Sequence, residues 1–247
     1  MIIAPFSMGD SPVHRLDPRV RVVASTAFAV AVALTRAPGP ATLAIAAGCA
    51  LLVIARLAPG PLLLRFARLN VFLALLAVLL AAAAPGDALW ALGPVTFTET
   101  GARMALLIAL KANAIVAALT ALLATTDASE LGHALWRLRV PPKLTYLFLF
   151  TVRYLDVLHR EFGRLRAAIA ARAFHVRCDR HTLRTLGYLV GMLLVRAFDR
   201  SERVHEAMLC RGFSGKFPVM AVYRLGGGDA VFGLVWSVIV VAILVWR

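Results

Sequence analysis

Leu73-Ala74-Leu75-Leu76-Ala77-Val78-Leu79-Leu80 has no polar side chain, and it lies within a longer apolar segment at about residues 66–84. A helix that spans a membrane needs roughly 20 mostly apolar residues. Working outward, four more segments have similar character, at about 20–36, 41–57, 104–124 and 229–246. The sequence therefore predicts an all-α fold, a polytopic membrane helical bundle of about five spans.

The composition excludes other classes of protein. Hydrophobic residues make up 61% of the 247 residues, against about 45–50% in soluble domains. The net charge of +14 is typical of proteins that bind nucleic acid, but such proteins are not built from long apolar runs. Intrinsic disorder is excluded for the same reason. Three cysteines at unrelated spacings predict reduced thiols and no disulfide framework.

Turn residues separate the spans. Ala37-Pro38-Gly39-Pro40 predicts a tight connection between the first two, and Pro85-Gly86-Asp87 predicts the end of the third. Asp17, followed by Pro18, has the pattern of an N-cap before the first helix. Asp229, after three glycines, predicts a similar N-cap before the last helix.

The positive charges predict the orientation of the spans. The segment 137–224 holds 17 Lys or Arg and 6 Asp or Glu, so it supplies +11 of the net charge. With the N-terminus inside, six further arginines fall on the same side as this segment: Arg15, Arg19, Arg21, Arg56, Arg65 and Arg68. Three fall outside: Arg36, Arg103 and Arg247. The positive-inside rule thus predicts a cytoplasmic N-terminus and an external C-terminus.

Within this basic part, two long helices are expected at about 142–173 and 182–212, each apolar at its start and amphipathic and basic at its end. We therefore divide the chain into spans 1–4 at 1–124, a segment of cytoplasmic amphipathic helices at 125–224, and a last span at 225–247.

An internal repeat links the two long helices. Residues 153–174 match 192–213 at an offset of 39, which pairs Arg172 with Arg211. In each helix, apolar residues spaced three or four apart form a stripe along one face. The arginine stands at the next position of that stripe, after its last apolar residue. One interpretation is capping, since cations stabilise a helix C-terminus and Gly212 suits the position after it. The other is a pair of arginine forks, each entering a groove of a partner protein.

At these residues the chain resembles the T component (the CbiQ/EcfT family) of energy-coupling factor (ECF) transporters, most like the CbiQ type of cobalt uptake systems. That family carries two Ala-Arg-Gly motifs at the ends of its coupling helices. Here they stand as Ala171-Arg172-Ala173, which lacks the glycine, and Cys210-Arg211-Gly212, which lacks the alanine. Other matching stretches are Leu16-Asp17-Pro18-Arg19, Val140-Pro141-Pro142-Lys143-Leu144, and Arg153-Tyr154-Leu155 with Glu161.

The resemblance implies a transmembrane energy-coupling subunit of the bacterial inner membrane. Its partners would be two ABC-type ATPase subunits, one per arginine motif. The others would be a substrate-binding CbiM-like membrane subunit, with or without a small CbiN-like subunit, and the lipid bilayer. Cobalt for cobalamin biosynthesis is the implied cargo, with nickel or a vitamin as alternatives. The arginines would be mechanical couplers, so we expect no catalytic residue, cofactor, resident metal or nucleic acid.

Other candidate sites are weaker. His175-x-x-Cys178-x-x-His181, together with Asp179, has the residue types and spacing of metal ligands, but the interleaved Arg177 and Arg180 oppose a cation. Lys111 and Asn113, within the fourth span, mark either a substrate pathway or, as we favour, snorkelling or an interhelical hydrogen bond.

Two other classes of function stay open. A self-sufficient channel or secondary transporter would need polar residues along the spans, and Lys111, Asn113 and Asn70 are the chief ones. A membrane enzyme would need clustered acids or histidines, which the sequence does not have. The sequence has no Walker A lysine motif, so energy from ATP would have to come from a partner.

Overall fold

The computed structural model describes residues 11–83, 88–92, 95–172, 174, 177–215 and 226–246. Two compact units form. The larger contains α1 (Pro18–Leu34), α2 (Pro38–Ala55), α3 (Pro59–Ala83), β1 (Ala88–Leu92), β2 (Val95–Thr98), α4 (Glu99–Leu122), α5 (Ala128–Arg137) and α8 (Gly227–Val245). The smaller contains α6 (Pro142–Ala170) and α7 (Arg180–Cys210).

The all-α prediction is confirmed, with a small addition. The connection between α3 and α4 contains a two-stranded antiparallel hairpin in which Leu92 pairs with Val95 and Ala88 with Thr98. The predicted breaker Pro85-Gly86-Asp87 lies outside the described residues, and α3 ends just before it, at Ala83. The two long helices begin and end within three residues of their predicted bounds.

Four of the described helices are long and apolar enough to cross a membrane: α2, α3, α4 and α8. The first predicted span corresponds to α1, which has only 17 residues. At about 1.5 Å per residue, α1 is roughly 26 Å long, slightly less than the ~30 Å hydrocarbon core. The expected count of about five spans is therefore met by four helices of sufficient length and one shorter helix.

The core of the larger unit is built from small residues on α2 and α4. Ala41, Ala44, Ala114, Ala117 and Ala118 are fully buried. Gly48 permits the close approach of the two helices, because a Cβ there would lie 3.0 Å from the Cβ of Ala117. Small residues are the usual means by which helices pack closely in membranes, where burial of apolar area drives association only weakly.

The polar residues of the spans are used between helices. The Nζ of Lys111 on α4 donates hydrogen bonds to the carbonyl oxygens of Ala33 (3.3 Å) and Thr35, at the C-terminal end of α1. Asn70 on α3 and Asn113 on α4 exchange two amide hydrogen bonds of 3.1 and 3.0 Å. The expectation of an interhelical hydrogen bond for Lys111 is therefore confirmed.

The N-termini of α1 and α8 are joined by one carboxylate. Asp17 is the N-cap of α1, as expected, and its Oδ1 accepts a 2.9 Å hydrogen bond from the N–H of Arg19. The prediction for Asp229 is wrong in its position. Gly226 is the N-cap of α8, and Asp229 is the third helical residue, whose Oδ2 accepts from the N–H of Gly226 at 2.8 Å. Its Oδ1 accepts from the N–H of Asp17, also at 2.8 Å.

Arg21 on α1 is buried, with only 2% of its surface exposed. Its guanidinium donates to the carbonyl oxygens of His14, Leu16 and Thr125, and it pairs with Glu130 at 3.4 Å. Glu130 lies on α5, a short amphipathic helix that the sequence analysis did not predict. Arg21 is therefore a structural link between α1 and α5, in addition to any part it plays in orienting the chain.

Candidate partner-docking site

The C-terminal end of α7 presents Arg211 on a fixed turn. The helix ends in a Schellman arrangement, in which the N–H of Phe213 donates to the carbonyl of Met208 at 3.0 Å and the N–H of Gly212 donates to that of Leu209 at 2.9 Å. Gly212 has a φ of +76°, which a residue without a Cβ adopts at least cost. Arg211 is the C-cap, and its side chain is exposed.

At the end of α6 the arginine lies one residue further from the helix than it does at the end of α7. The C-cap of α6 is Ala171, so Arg172 lies one residue beyond the cap, whereas Arg211 is the cap itself. The N–H of Arg172 donates to the carbonyl of Ile169 at 3.0 Å, and its side chain is exposed. Ala173, which the sequence analysis included in this motif, lies outside the described residues. The sequence has Ala173 where the second copy has Gly212.

A polar cavity of about 610 Å³ adjoins Arg172. Its other lining residues come from the end of α6, the connection and the first turns of α7: Ile169, Phe174, Arg177, Asp179, His181, Thr182 and Thr185. Among the described lining residues two arginines outnumber the single carboxylate, so the cavity favours an acidic group of a partner.

Two of the candidate metal ligands near this cavity, Asp179 and His181, make other contacts. Asp179 caps α7 by accepting a 2.7 Å hydrogen bond from the N–H of Arg180, and the ring of His181 packs against Phe174 with centroids 6.1 Å apart. His175 lies outside the described residues. Within the described ranges, no three His, Cys, Asp or Glu side chains come together as metal ligands.

An ion-pair cluster fastens α6 to α7. Glu161 on α6 accepts a hydrogen bond from Arg196 on α7 and a second one, of 2.6 Å, from Arg164 one turn away. The hydrogen bond from Arg196 is the largest influence and lowers the pKa of Glu161; burial opposes it, and the charges of Arg164, Arg196 and Arg200 lower the pKa further, so the net shift is downward. The carboxylate therefore stays ionised and keeps the two helices together well below neutral pH.

An apolar groove of about 340 Å³ lies between α6 and α7. It is lined on α6 by residues such as Leu147, Phe150 and Leu158, and on α7 by Val204 and Met208. Leu158, Val204 and Met208 are apolar residues of the two helices at the helical spacing described above. The groove lies beside the first half of α6 and the last turns of α7, so it approaches the end that carries Arg211 and not the end that carries Arg172.

The Glu161–Arg196 pair was missed by sequence reasoning. The spacing of Glu161 and Arg164 is that of neighbours on one helix face and could have been read from the sequence. Arg196 is 35 residues from Glu161, and no periodic pattern links the two. The Schellman turn, in contrast, has a local signal in Gly212.

The apolar helices, with their internally satisfied polar groups, define a multi-pass α-helical membrane protein. A family model, CbiQ, described as cobalt transport protein, matches residues 9–220. The chain therefore belongs to the CbiQ family.

Named relatives agree with this assignment. A protein of Rhodobacter capsulatus named cobalt transport protein CbiQ is 30% identical over 135 residues, which cover 55% of this chain and 54% of that protein. The match thus spans about half the length of that relative. Proteins named energy-coupling factor transporter transmembrane protein EcfT match over more of their length. That of Heliobacterium modesticaldum is 27% identical over 83% of this chain and 81% of its own, and that of Acidaminococcus fermentans is 27% identical over 92% and 89%.

Proposed function

We propose that this chain is the transmembrane energy-coupling component of an ECF-type importer, with its N-terminus in the cytoplasm of a bacterium and its spans in the inner membrane. The observation that carries the proposal is the pair of exposed arginines, Arg172 and Arg211, at the C-terminal ends of two long helices fastened to each other. The relatives named energy-coupling factor transporter transmembrane protein support it.

Each arginine docks one ABC-type ATPase subunit. A guanidinium presents five donors in a planar fork, so it pairs bidentately with a carboxylate or with backbone carbonyls in a groove. Movement of the ATPases on ATP binding and hydrolysis then shifts α6 and α7. The Glu161–Arg196 pair makes the two helices respond together. The arginines act mechanically, and the ATPase partners carry the hydrolysis.

The cargo is bound by a separate membrane subunit, of the CbiM-like kind with or without a small CbiN-like subunit. Cobalt ion, for cobalamin biosynthesis, is the proposed cargo because the family model and one relative are both named for cobalt transport. Nickel and a vitamin are the alternatives. Uptake of labelled cobalt and nickel by cells that express the chain with its neighbouring genes distinguishes them.

A self-sufficient transporter is less well supported. Such a protein needs polar groups that face a pathway. Lys111 instead caps the end of α1, and Asn70 and Asn113 bond to each other. These side chains have structural partners, which leaves them little capacity to bind a cargo.

The test is charge reversal of both arginines. We expect the Arg172→Glu plus Arg211→Glu variant to insert normally but to lose ATPase co-purification and uptake, with each single change costing less than the pair. The matched control reverses Arg166 and Arg203, which are also exposed on α6 and α7. Co-purification and transport that both survive the first pair, or a control that is equally damaging, would refute the coupling model.

A further inference from the structure

A long apolar groove runs along α1 and α8. Its first part, about 440 Å³, is lined by residues of α1 and α8 such as Val20, Val23, Gly233 and Val240. A second part of about 430 Å³ shares Val23 and Val240 with the first and continues to Leu34 and Leu244, near the ends of both helices. The two parts form one continuous furrow along nearly the whole length of α1.

Small residues, including Ala24, Ala27 and Gly233, line the furrow together with Trp236. The rings of Phe28 and Trp236 lie 5.0 Å apart, and the indole N–H of Trp236 donates a 3.0 Å hydrogen bond to the carbonyl of Ala24. At Gly233 the space that a Cβ would enter is open. Trp236 therefore fastens α8 to α1 at the furrow, which the described part of the chain leaves unfilled.

The lining of the furrow is largely apolar, and its two hydroxyl groups use their hydrogens within their own helices. The hydroxyls of Thr26 and Ser237 donate to carbonyls of their own helices, those of Val22 and Leu234, both at 2.8 Å. Among the described lining residues the one charged group is Arg19, at the end where both helices begin. A molecule that fits needs a long apolar tail and a negative charge at one end.

We propose that this furrow is a binding site for an anionic phospholipid, with an acyl chain along α1 and α8 and the phosphate at Arg19. The span from Arg19 to Leu34 is about 22 Å at 1.5 Å per residue, whereas one leaflet of the ~30 Å hydrocarbon core is about 15 Å thick. An acyl chain anchored at Arg19 therefore stays within the furrow for the full depth of its leaflet.

Arg19 is ion-paired with a neighbouring carboxylate. Asp17 Oδ1 is 3.7 Å from Arg19 Nε, and the side chain of Asp17 is 2% exposed, whereas that of Arg19 is 21% exposed. A guanidinium has five N–H donors, so its exposed part can bind a headgroup at the bilayer surface while the pair with Asp17 stays in place. The inference goes beyond the proposed function, since it requires only that α1 and α8 lie in a bilayer.

The experiment is native mass spectrometry of the purified full-length chain with phosphatidylglycerol or phosphatidylcholine of identical acyl chains. We expect the wild type to retain phosphatidylglycerol about fivefold better, the factor for one arginine near an anionic surface. Arg19→Gln should abolish the preference and Arg19→Lys should keep it. Arg36→Gln, which removes an exposed arginine just beyond the other end of α1, should have no effect.

A second variant tests the furrow itself. Gly233→Leu fills it from the floor and should lower retention of both lipids, whereas Val238→Leu, at an exposed position outside the lining, should not. Equal retention of both lipids by the wild type, or a preference that survives Arg19→Gln, would overturn the proposal. So would a Gly233→Leu variant that keeps its lipid but releases a co-purifying membrane protein, since the furrow would then be a helix-docking surface.

Discussion

The main-chain N–H of Asp17 donates a 2.8 Å hydrogen bond to Oδ1 of Asp229, although the two residues are 212 positions apart. Asp229 also accepts from the N–H of Gly226 with its other oxygen. One carboxylate thus satisfies a main-chain donor at the start of α1 and another at the start of α8. It fixes the beginnings of the two helices side by side.

Removal of this carboxylate should destabilise the larger unit. Asp229→Ala leaves the N–H groups of Asp17 and Gly226 without their acceptors. We expect a loss of about 2 kcal/mol, since a buried polar group without a partner costs ~1–3 kcal/mol. Asp229→Asn should be more stable than Asp229→Ala but less stable than the wild type, because an amide has only one acceptor oxygen. Unfolding in detergent, followed by tryptophan fluorescence, measures the change.

Asp127→Ala is the matched control. Asp127 is the exposed N-cap of α5, and its side chain makes no capping hydrogen bond. Asp127→Ala should therefore lower the free energy of unfolding much less than Asp229→Ala does. Equal losses in the two variants would mean that the bridge between α1 and α8 contributes nothing of its own.

Protonation of Glu161 should loosen α6 from α7. The pKa of Glu161 is lowered from its usual 4.5, chiefly by the hydrogen bond from Arg196. A carboxyl group whose pKa is lower in the folded than in the unfolded protein stabilises the fold at any pH above its unfolded pKa. This stabilisation is lost as the pH falls through the pKa of the folded state. The wild type should therefore keep the clamp at pH 5–7 and lose it progressively below pH 4.5.

Spin labels on the two helices measure this effect. With the native cysteines replaced by serine and labels at Arg166→Cys and Arg203→Cys, the distance distribution should broaden in the wild type only at low pH. In Glu161→Gln it should be broad at pH 7 and insensitive to pH. Glu202→Gln, at an exposed position on α7, serves as the control and should behave as the wild type. A narrow distribution in Glu161→Gln at pH 7 would contradict the clamp.

Replacement of Gly212 should weaken the turn that presents Arg211. A Cβ at position 212 meets no neighbouring atom, but the φ of +76° is strained for alanine. The left-handed conformation costs ~1–2 kcal/mol for such a residue. Gly212→Ala should therefore speed hydrogen exchange of the last amides of α7 by about fivefold or more.

The control for this substitution lies within α6. Gly163→Ala also meets no neighbouring atom, and its backbone is helical, so it should slow local exchange or leave it unchanged. If both substitutions slow exchange, the Schellman turn does not hold the end of α7.

Much of the fold could be predicted because its signals are local. Asp17-Pro18 marks the start of α1 through capping and a preset φ, and Pro142 marks the start of α6 in the same way. The matched ends of α6 and α7 were visible from the 39-residue repeat. The exposed arginines at these ends could also be predicted, because each follows an apolar stripe of helical period.

The predicted start of a helix was displaced where two local sequence signals compete. Ala37-Pro38-Gly39-Pro40 has the composition of a turn, but Pro38 begins α2, since proline is well suited to the first turn of a helix.

The short helix α5 was missed because ten residues with a mixed composition give a weak pattern. Contact of Glu130 on α5 with the buried Arg21 stabilises this helix.

By itself, the sequence determined the helices other than the short α5, which of them are apolar enough for a bilayer, and that an arginine stands near the end of both α6 and α7. The tertiary structure alone decided which polar groups meet. Asp229 bridges to Asp17, Lys111 to the end of α1, and Glu161 to Arg196. Helical periodicity extends only a few residues along the chain, whereas these partners are 212, 76 and 35 residues apart. Their pairing depends on how the helices pack, since only packing brings residues so far apart in the chain within hydrogen-bond distance.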